Sequence, residues 1–383
     1  MSERPIHFHF RGAIRQLDGV APTRTVLQYL REDVHACGTK EGCAEGDCGA
    51  CTVVLGEKVD GQLRLRAVNA CIQFVPSLDG KALFTVEDLD GLGGLGLTGL
   101  LHPVQQALVD RHASQCGFCT PGFAMSLFAL YENHVECPTR SVICDSLSGN
   151  LCRCTGYRPI VDAVPLAYAQ PRVSVDRDAV LAALDEMAAL PALEYVGAGR
   201  RFSAPRTLPE LAAARLAAPD ARLLAGCTDV GLWVTKQLKD PGDLIYLGAV
   251  EELKAIRADA AGLFIGAGAS LTDAFDALTA FEPAWTELAR RFASLPVRNA
   301  GTLGGNVANG SPIGDSMPGL IAMGAEILLQ RGERLRRLPL EDFYLAYQKT
   351  ALEAGESVLG LHLPPPPADR YFRTWKVSKR EDQ

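Results

Sequence analysis

The stretch CAEGDCGAC, residues 43–51, places three of the chain's 12 cysteines on one short loop. Cys43, Cys48 and Cys51 have the spacing C-x4-C-x2-C, and Cys71 follows further along the chain. This is the plant-type spacing of a [2Fe–2S] cluster, in which three thiolates come from one loop and the fourth from elsewhere in the fold. The spacing predicts that these four cysteines bind such a cluster. A zinc loop is the alternative, although zinc sites favour paired C-x2-C units.

The glycines of this loop support the same interpretation. Gly42, Gly46 and Gly49 allow positive φ angles, and they let backbone N–H groups come close to the sulfur atoms. Such donors stabilise a negatively charged cluster.

A second set of cysteines lies in QCGFCTPG and LCRCTGY. Cys116 and Cys119 form a C-x2-C pair, and Cys152 and Cys154 form a C-x-C pair, each predicted to lie at the end of a helix. A two-and-two division suits a second [2Fe–2S] cluster, with zinc again as the alternative. The other four cysteines, Cys37, Cys137, Cys144 and Cys227, are interpreted as thiols without a ligand role.

Length and composition limit the possible classes of protein. The chain has 383 residues, 48% of them hydrophobic, and a formal net charge of −7. A negative chain of this kind is not expected to bind nucleic acid. The first residues do not resemble a secretory signal, and no apolar run is long enough to span a membrane. We therefore expect a cytoplasmic protein. Because disulfides are rare in that reducing compartment, the high cysteine content indicates metal or redox sites.

Hydrophobic patterning predicts a multidomain α+β protein. Residues 1–86 alternate like a small sheet with one helix around the first cysteine loop, and residues 87–168 have the apolar spacing of a helical bundle. Thr120 and Pro121 are predicted as the N-cap and first residue of one bundle helix, and residues 144–151 as another helix. Residues 169–190 are predicted to be a linker with a surface helix, and residues 191–383 an α+β domain.

The sequence GLGGLG, residues 91–96, matches the letters of a dinucleotide-binding fingerprint. That fingerprint must directly follow a strand and open directly into a helix, and this stretch does neither. We interpret it as a flexible connector.

Two stretches of the C-terminal half indicate a nucleotide cofactor. LLAGCTDVG, residues 223–231, follows a strand with small residues whose N–H groups suit a diphosphate. TLGGNVANGSPIGD, residues 302–315, is rich in glycine and in polar groups that bind hydroxyls and amides. Two structural turns are the alternative interpretation.

The order of these motifs resembles the molybdenum hydroxylase family over nearly the whole chain, and within it the members that oxidise hypoxanthine and xanthine. The resemblance implies a β-grasp ferredoxin-like [2Fe–2S] domain, a four-helix-bundle [2Fe–2S] domain and an FAD-binding domain of the vanillyl-alcohol-oxidase-like type. The family continues beyond WKVSKREDQ, so the resemblance implies that the FAD-binding domain is incomplete at its C-terminus.

The resemblance also implies which residues bind FAD. They form a first loop, a second loop and several separate positions: Leu223, Leu224, Ala225, Gly226, Cys227, Thr228, Asp229, Val230; Thr302, Leu303, Gly304, Gly305, Asn306; and Phe292, Asp315, Val358, Lys376. Gln115 and Cys154 match positions that face the pterin in the family.

By the same resemblance, electrons from a molybdenum–pterin centre on a large partner subunit pass through both clusters to FAD and then to NAD, in a heterotetramer of two small and two large subunits. The chain itself would carry no catalytic residue for substrate hydroxylation. A relative acting on an aldehyde or an N-heterocycle is one alternative, and a non-catalytic, zinc-stabilised protein is another.

Overall fold

Arg11 and Gly12 form the turn of an N-terminal hairpin. In the computed structural model, which describes residues 3–94, 101–347, 349–367 and 371–377, strand β1 covers Ile6–Phe10 and strand β2 covers Ala13–Leu17. Both turn residues have positive φ, 54° and 71°. The two strands pair antiparallel along their whole length and form a hairpin.

The elements that follow the hairpin are α1 (Val26–Gln28, continued by a π-helical turn at Tyr29–Asp33), β3 (Thr52–Val59), β4 (Gln62–Asn69), a 3-10 helix at Val75–Leu78 and β5 (Ala82–Phe84). The first sheet has five strands in the order β2-β1-β5-β3-β4. Strands β1 and β5 are parallel, and the other pairs are antiparallel. The first cysteine loop connects the helical segment to β3, and Cys71 follows β4 closely.

Four helices form the next module: α2 (Pro103–Asp110), α3 (Thr120–Asn133), α4 (Arg140–Ser146) and α5 (Arg158–Ala169). Helix α3 is buried on most of its surface because it contacts β3 and β4 on one side and the other helices on the other. Cys116 and Cys119 precede α3, and Cys152 and Cys154 precede α5.

Two details of this module differ from the prediction. The helix expected over residues 144–151 instead ends at Ser146, because Gly149 and Asn150 leave the helix to contact the first cysteine loop. The N-cap of α3 is Cys119 rather than Thr120, whose hydroxyl hydrogen-bonds to that of Ser114, with the oxygens 2.8 Å apart.

The segment predicted to be a linker is part of the core. Its helix α6 (Arg177–Ala188) buries Val180, Leu184 and Met187. These side chains join one hydrophobic cluster with residues of the first sheet and of the helical module. Strand β6 (Leu193–Gly197) follows.

The predicted connector at GLGGLG lies partly outside the described residues. A 3-10 helix covers Val86–Gly94, and residues 95 and 96 are not described. Leu89 of this helix is fully buried.

The chain divides into two compact units. The first consists of residues 1–200, 227–240 and 294–297, and the second of residues 201–226, 241–293 and 298–383. Residues 227–240 are therefore part of the first unit, although the resemblance assigns the sequence around them to the FAD-binding domain.

The elements that follow β6 are, in chain order, β7 (Arg200–Ala204), α7 (Leu208–Ala217), β8 (Arg222–Leu224), α8 (Val230–Thr235), β9 (Leu244–Tyr246), β10 (Ile256–Asp259), β11 (Gly262–Gly266), α9 (Leu271–Phe281), α10 (Thr286–Arg291), α11 (Leu295–Ala300), α12 (Leu303–Asn309), α13 (Ser316–Ala322), β12 (Glu326–Arg331), β13 (Arg334–Pro339), α14 (Leu340–Phe343), β14 (Tyr344–Ala346), β15 (Lys349–Thr350) and β16 (Ser357–Leu363). Short 3-10 helices lie at Glu251–Lys254 and Pro283–Trp285.

In its described residues the second unit contains strands of three sheets, the smallest of which is the antiparallel pair β14-β15. Strands β7 and β8 pair parallel with β9, and a second sheet has the antiparallel order β10-β11-β16-β12-β13. A single hydrophobic cluster that includes Trp285, Leu303 and Phe343 fills this unit. These elements confirm the predicted α+β fold.

Candidate cofactor-binding sites

Backbone donors surround the first sulfur of the loop at residues 43–51. The Cys43 Sγ accepts hydrogen bonds from the N–H groups of Glu45, Asp47 and Cys48, with N–S distances of 3.5, 3.4 and 3.3 Å. A hydrogen bond from the Cys71 thiol, assisted by these donors, lowers the pKa of Cys43 to about 4. The thiolate, which is the form that binds metal, is therefore favoured at this position.

The other three sulfurs of the set adjoin Cys43. The Cys71 side chain hydrogen-bonds to both Cys43 and Cys51, and Cys48 hydrogen-bonds to Cys43. Cys51 and Cys71 are buried, whereas Cys43 and Cys48 are partly exposed. The structure thus brings together the four cysteines that the spacing selected.

Glycine is required where the loop is most crowded. A Cβ atom on Gly42 would lie 2.7 Å from the Cys48 Sγ. Gly46 and Gly49 have φ angles of +79° and +70°. The loop geometry therefore fits a four-thiolate cluster with N–H donors around it.

The second set of sulfurs consists of two facing pairs. The Sγ atoms of Cys116 and Cys154 are 3.6 Å apart, and Cys119 hydrogen-bonds to Cys152. The Cys152 Sγ also accepts a hydrogen bond from the Thr155 N–H, at 3.4 Å. Cys116 and Cys154 are exposed, and Cys152 is buried.

The sulfurs of the first set are joined in a chain of hydrogen bonds, and those of the second set form two pairs. Within the part of the chain that the structure describes, no three His, Cys, Asp or Glu side chains are grouped as they would be around a single metal ion.

The remaining cysteines lie elsewhere. Cys37, Cys137 and Cys144 are exposed. Cys227 is buried with a φ of +63°, and burial raises the pKa of its thiol to about 11. Gln115, which the resemblance placed toward a pterin, is exposed.

The two glycine-rich stretches of the second unit lie against each other. A Cβ atom on Gly226 would lie 1.8 Å from the carbonyl oxygen of Ala300, and one on Gly305 would lie 3.8 Å from the Cβ of Ala225. The turn at Gly226 therefore packs directly on the backbone of Ala300, and the two glycine-rich stretches lie side by side at Ala225 and Gly305. Glycine is needed at position 226 because any side chain there would collide with this backbone.

The second loop is held rigidly. Thr302 caps helix α12 by accepting a hydrogen bond from the Gly305 N–H at 3.0 Å. A Cβ atom on Gly304 would lie 2.4 Å from that of Ala267, so this glycine permits close packing on the sheet. The Asn306 Oδ1 accepts a hydrogen bond from the Ser316 hydroxyl at 2.5 Å.

Three of the separate positions that the resemblance assigns to FAD lie together. Lys376 makes an ion pair with Asp315, and its Nζ lies 5.9 Å from the ring centre of Phe292. The Phe292 ring packs against Phe275, with ring centres 5.3 Å apart. Val358 lies apart from them, in strand β16, where it joins the core of the second unit.

Residues 227–230, which the resemblance assigns to the first FAD loop, belong to the first unit together with helix α8. The Thr235 hydroxyl donates to the carbonyl oxygen of Ala44 at 2.8 Å, and Lys236 forms an ion pair with Glu45 at 3.6 Å. A Cβ atom on Gly231 would lie 2.6 Å from the Ile72 carbonyl oxygen. Sequence reasoning missed these contacts, because no local pattern joins residue 235 to residue 44.

Three stretches of the chain match models of known domain families. Residues 8–75 match the model of a 2Fe-2S iron-sulfur cluster binding domain, and residues 85–165 match that of a [2Fe-2S] binding domain. Residues 198–366 match the FAD binding domain in molybdopterin dehydrogenase.

The chain is similar to several curated proteins. It is 35% identical to the xanthine dehydrogenase of Drosophila subobscura, over 94% of this chain and 31% of that protein. It is 31% identical to the xanthine dehydrogenase of Emericella nidulans, over 98% of this chain and 32% of that protein. It is 32% identical to aldehyde oxidase 4 of Cavia porcellus, over 90% of this chain and 30% of that protein. The chain thus spans about a third of the length of the curated relatives it matches.

Among solved structures, carbon monoxide dehydrogenase from Hydrogenophaga pseudoflava aligns with a TM-score of 0.44 and 28% identity, over 47% of this chain and 64% of that chain. In the described residues, no helix has the length and apolar character needed to cross a membrane.

Two [2Fe–2S] domains followed by an FAD-binding domain of the molybdopterin dehydrogenase type define the class: an iron–sulfur flavoprotein. The chain belongs to the molybdenum hydroxylase family, whose oxidoreductases include the relatives named above. Its cofactors are two [2Fe–2S] clusters and FAD, which sets aside the zinc alternative for both cysteine sets.

Proposed function

We propose that the chain is the electron-transfer part of a xanthine dehydrogenase, receiving electrons from the oxidation of hypoxanthine and xanthine to urate and delivering them to NAD. The observation that carries the proposal is that both cysteine sets and both glycine-rich loops occur on one chain, in the order found in xanthine dehydrogenases. When bound, the clusters supply one-electron transfer, and FAD converts it to two-electron transfer.

The first cluster is proposed to be bound by Cys43, Cys48, Cys51 and Cys71. The hydrogen bonds between these sulfurs, and the three N–H donors to Cys43, support this ligand set.

The second cluster is proposed to be bound by Cys116, Cys119, Cys152 and Cys154. Cys116 and Cys154 are exposed, and Gln115 beside them is exposed too. The second cluster site is therefore proposed to receive electrons from the partner.

FAD is proposed to lie along the two loops at residues 223–230 and 302–306. The closeness of the two stretches supports this, because Gly226 packs on the Ala300 backbone and Gly305 lies beside Ala225. Phe292, Asp315 and Lys376 are proposed as further contacts because the structure groups them, and Val358 as a contact through its strand.

The remaining parts of the proposal concern organisation. We propose domain limits of 1–86, 87–168 and 191–383 with residues 169–190 between them, a molybdenum–pterin partner in a heterotetramer of two small and two large subunits, NAD as acceptor, and a cytoplasmic location. The second candidate function is the same electron transfer in an aldehyde-oxidising or N-heterocycle-oxidising relative. The 32% identity to an aldehyde oxidase favours it.

Cofactor content is the first test. The full chain, purified anaerobically, is expected to contain iron and sulfide for two clusters and one FAD, and to reduce a dye with NADH. A chain that contains zinc in place of iron would overturn the proposed electron-transfer function. Once a partner is supplied, reduction of NAD with xanthine but not with an aldehyde would support the first candidate, and the reverse would support the second.

A further inference from the structure

Asn150 lies immediately before the LCRC motif and is buried, with 3% of its surface exposed. It is not a cysteine, a glycine or a flavin contact, and the sequence motifs assign it no role. Its side chain nevertheless connects the two cysteine loops of the first unit.

Both the Nδ2 and the Oδ1 of the Asn150 side chain make hydrogen bonds. The Nδ2 donates to the carbonyl oxygen of Gly49 and to the hydroxyl oxygen of Thr52, both at 3.1 Å. The Oδ1 accepts from the hydroxyl of Ser126 at 2.6 Å. The direction of each bond follows from the chemistry, because a carbonyl oxygen accepts only from the NH₂ end of the amide.

The partners are buried as well. Thr52 and Ser126 are each 2% exposed. Thr52 begins the strand after Cys51, and Ser126 lies on α3, two turns after Cys119. The network therefore joins the first loop, the helix that follows Cys119, and the residue that leads into Cys152.

Backbone contacts tighten the same junction. The Leu151 N–H donates to the Cys48 carbonyl oxygen at 3.0 Å. A Cβ atom on Gly49 would lie 2.1 Å from the Gly149 carbonyl oxygen, and one on Gly122 would lie 2.1 Å from the Gly49 carbonyl oxygen. Three backbone segments thus meet at distances that leave no room for a side chain.

We propose that Asn150 is a positioning residue that sets the separation and electronic coupling of the two clusters. The inference rests on the proposed ligand sets, because each set is attached to one side of this junction. A buried and fully bonded amide resists displacement, since any movement leaves a polar group unpaired. Asn150 would touch neither cluster and would act by holding Gly49 against the chain that leads to Cys152.

The test uses Asn150→Asp in the full chain with both clusters assembled. The substitution keeps the shape but replaces the NH₂ donor with an acceptor facing two oxygens. Iron and sulfide are measured first on the unaltered chain, so that absence of two clusters there counts against the proposed function and not against this inference. The readout is the magnetic interaction between the two reduced clusters, seen as splitting and faster relaxation in low-temperature electron paramagnetic resonance.

We expect Asn150→Asp to reduce or abolish the splitting while both individual cluster signals remain. Unchanged splitting in a variant with full iron content would overturn the proposal. The matched control is Asn69→Asp, because Asn69 is also buried and its Nδ2 donates to Gly46 at 2.6 Å, within the first loop. This control is expected to alter the signal of the first cluster alone.

If Asn150→Asp fails to assemble both clusters, a milder variant tests the proposed role of Asn150. Ser126→Ala removes one hydrogen bond and leaves the Gly49 and Thr52 contacts available. A weaker splitting in Ser126→Ala supports the proposal, and a splitting equal to that of the unaltered chain overturns it.

Discussion

The carbonyl oxygen of Cys48 accepts a hydrogen bond from the backbone N–H of Leu151, with the two atoms 3.0 Å apart. One residue belongs to the first cysteine loop and the other directly precedes the C-x-C pair of the second set. Two sequence motifs that are about a hundred residues apart therefore share a hydrogen bond. Four predictions concern Gly49 at this junction, Thr235 on α8, Lys376 and Cys227.

Gly49→Ala is expected to destabilise the first unit strongly. Its φ of +70° is unfavourable for alanine, and the added Cβ would meet the Gly149 carbonyl oxygen at 2.1 Å. The two effects together should lower the free energy of unfolding by about 3 kcal/mol or more. Denaturant unfolding and iron content measure the result.

The matched control for that substitution is Gly61→Ala. Gly61 has a similar φ of +77°, but among the described residues no atom beyond its chain neighbours lies within 4 Å of the point that a Cβ would occupy. It should cost only about 1–2 kcal/mol, the conformational part alone. Equal losses for the two variants would contradict the close approach at Gly49.

Thr235→Val is expected to loosen the first cysteine loop from α8. The valine keeps the shape but loses the 2.8 Å hydrogen bond to the Ala44 carbonyl oxygen. Ala44 has a φ of +54°, so its conformation depends on such support. The loss in unfolding free energy should be about 1 kcal/mol, and the visible circular dichroism of the first cluster should change.

Thr286→Val provides the comparison, because its hydroxyl bonds only locally, to the Pro283 carbonyl oxygen at 2.7 Å. That variant should leave the cluster spectrum unchanged. An unaltered spectrum in Thr235→Val as well would show that α8 does not support the loop.

Lys376→Gln is expected to weaken FAD retention. The change removes the ion pair with Asp315 and the cation beside the Phe292 ring. Loss of a partly buried, charge-assisted bond of about 1.5 kcal/mol corresponds to roughly tenfold weaker binding. Release of flavin fluorescence on dilution measures the affinity. Lys254→Gln, which breaks the exposed ion pair with Glu251, should leave FAD affinity unchanged. Tenfold weaker FAD binding in this control as well would show that the effect is not specific to Lys376.

The Cys227 thiol is expected to contribute to the alkaline loss of stability. Burial raises its pKa from 9.0 to about 11. The unfolded chain therefore loses this proton at a lower pH than the folded chain does. The thiol's contribution is complete below pH 9.0 and decreases as the pH rises toward about 11, by at most about 3 kcal/mol.

Comparison of the unaltered chain with Cys227→Ala isolates this contribution. The difference in unfolding free energy between the two proteins should shrink over that pH interval. A constant difference would mean that the thiol titrates alike in the folded and unfolded states.

Local rules predicted much of the fold from sequence. Arg11 and Gly12 lie between two alternating stretches, so the hairpin follows from its own residues. Apolar spacing likewise predicts the helices before and after the second cysteine set, and Pro121 predicts the start of one of them. Where a neighbouring segment competes for the backbone, the prediction failed, as at residues 147–151, where contacts with Gly49 end the helix early.

The sequence by itself determined which cysteines and glycines are available and in what spacing, because a cluster loop is a local chemical pattern. Only the tertiary structure decided that α6 is part of the core, that α8 packs on the first cysteine loop, and that Asn150 joins the two loops. Those contacts connect residues 191 and 101 positions apart in the cases of Thr235 and Asn150. Such pairings depend on how whole elements pack to bury apolar surface, which short-range patterns do not encode.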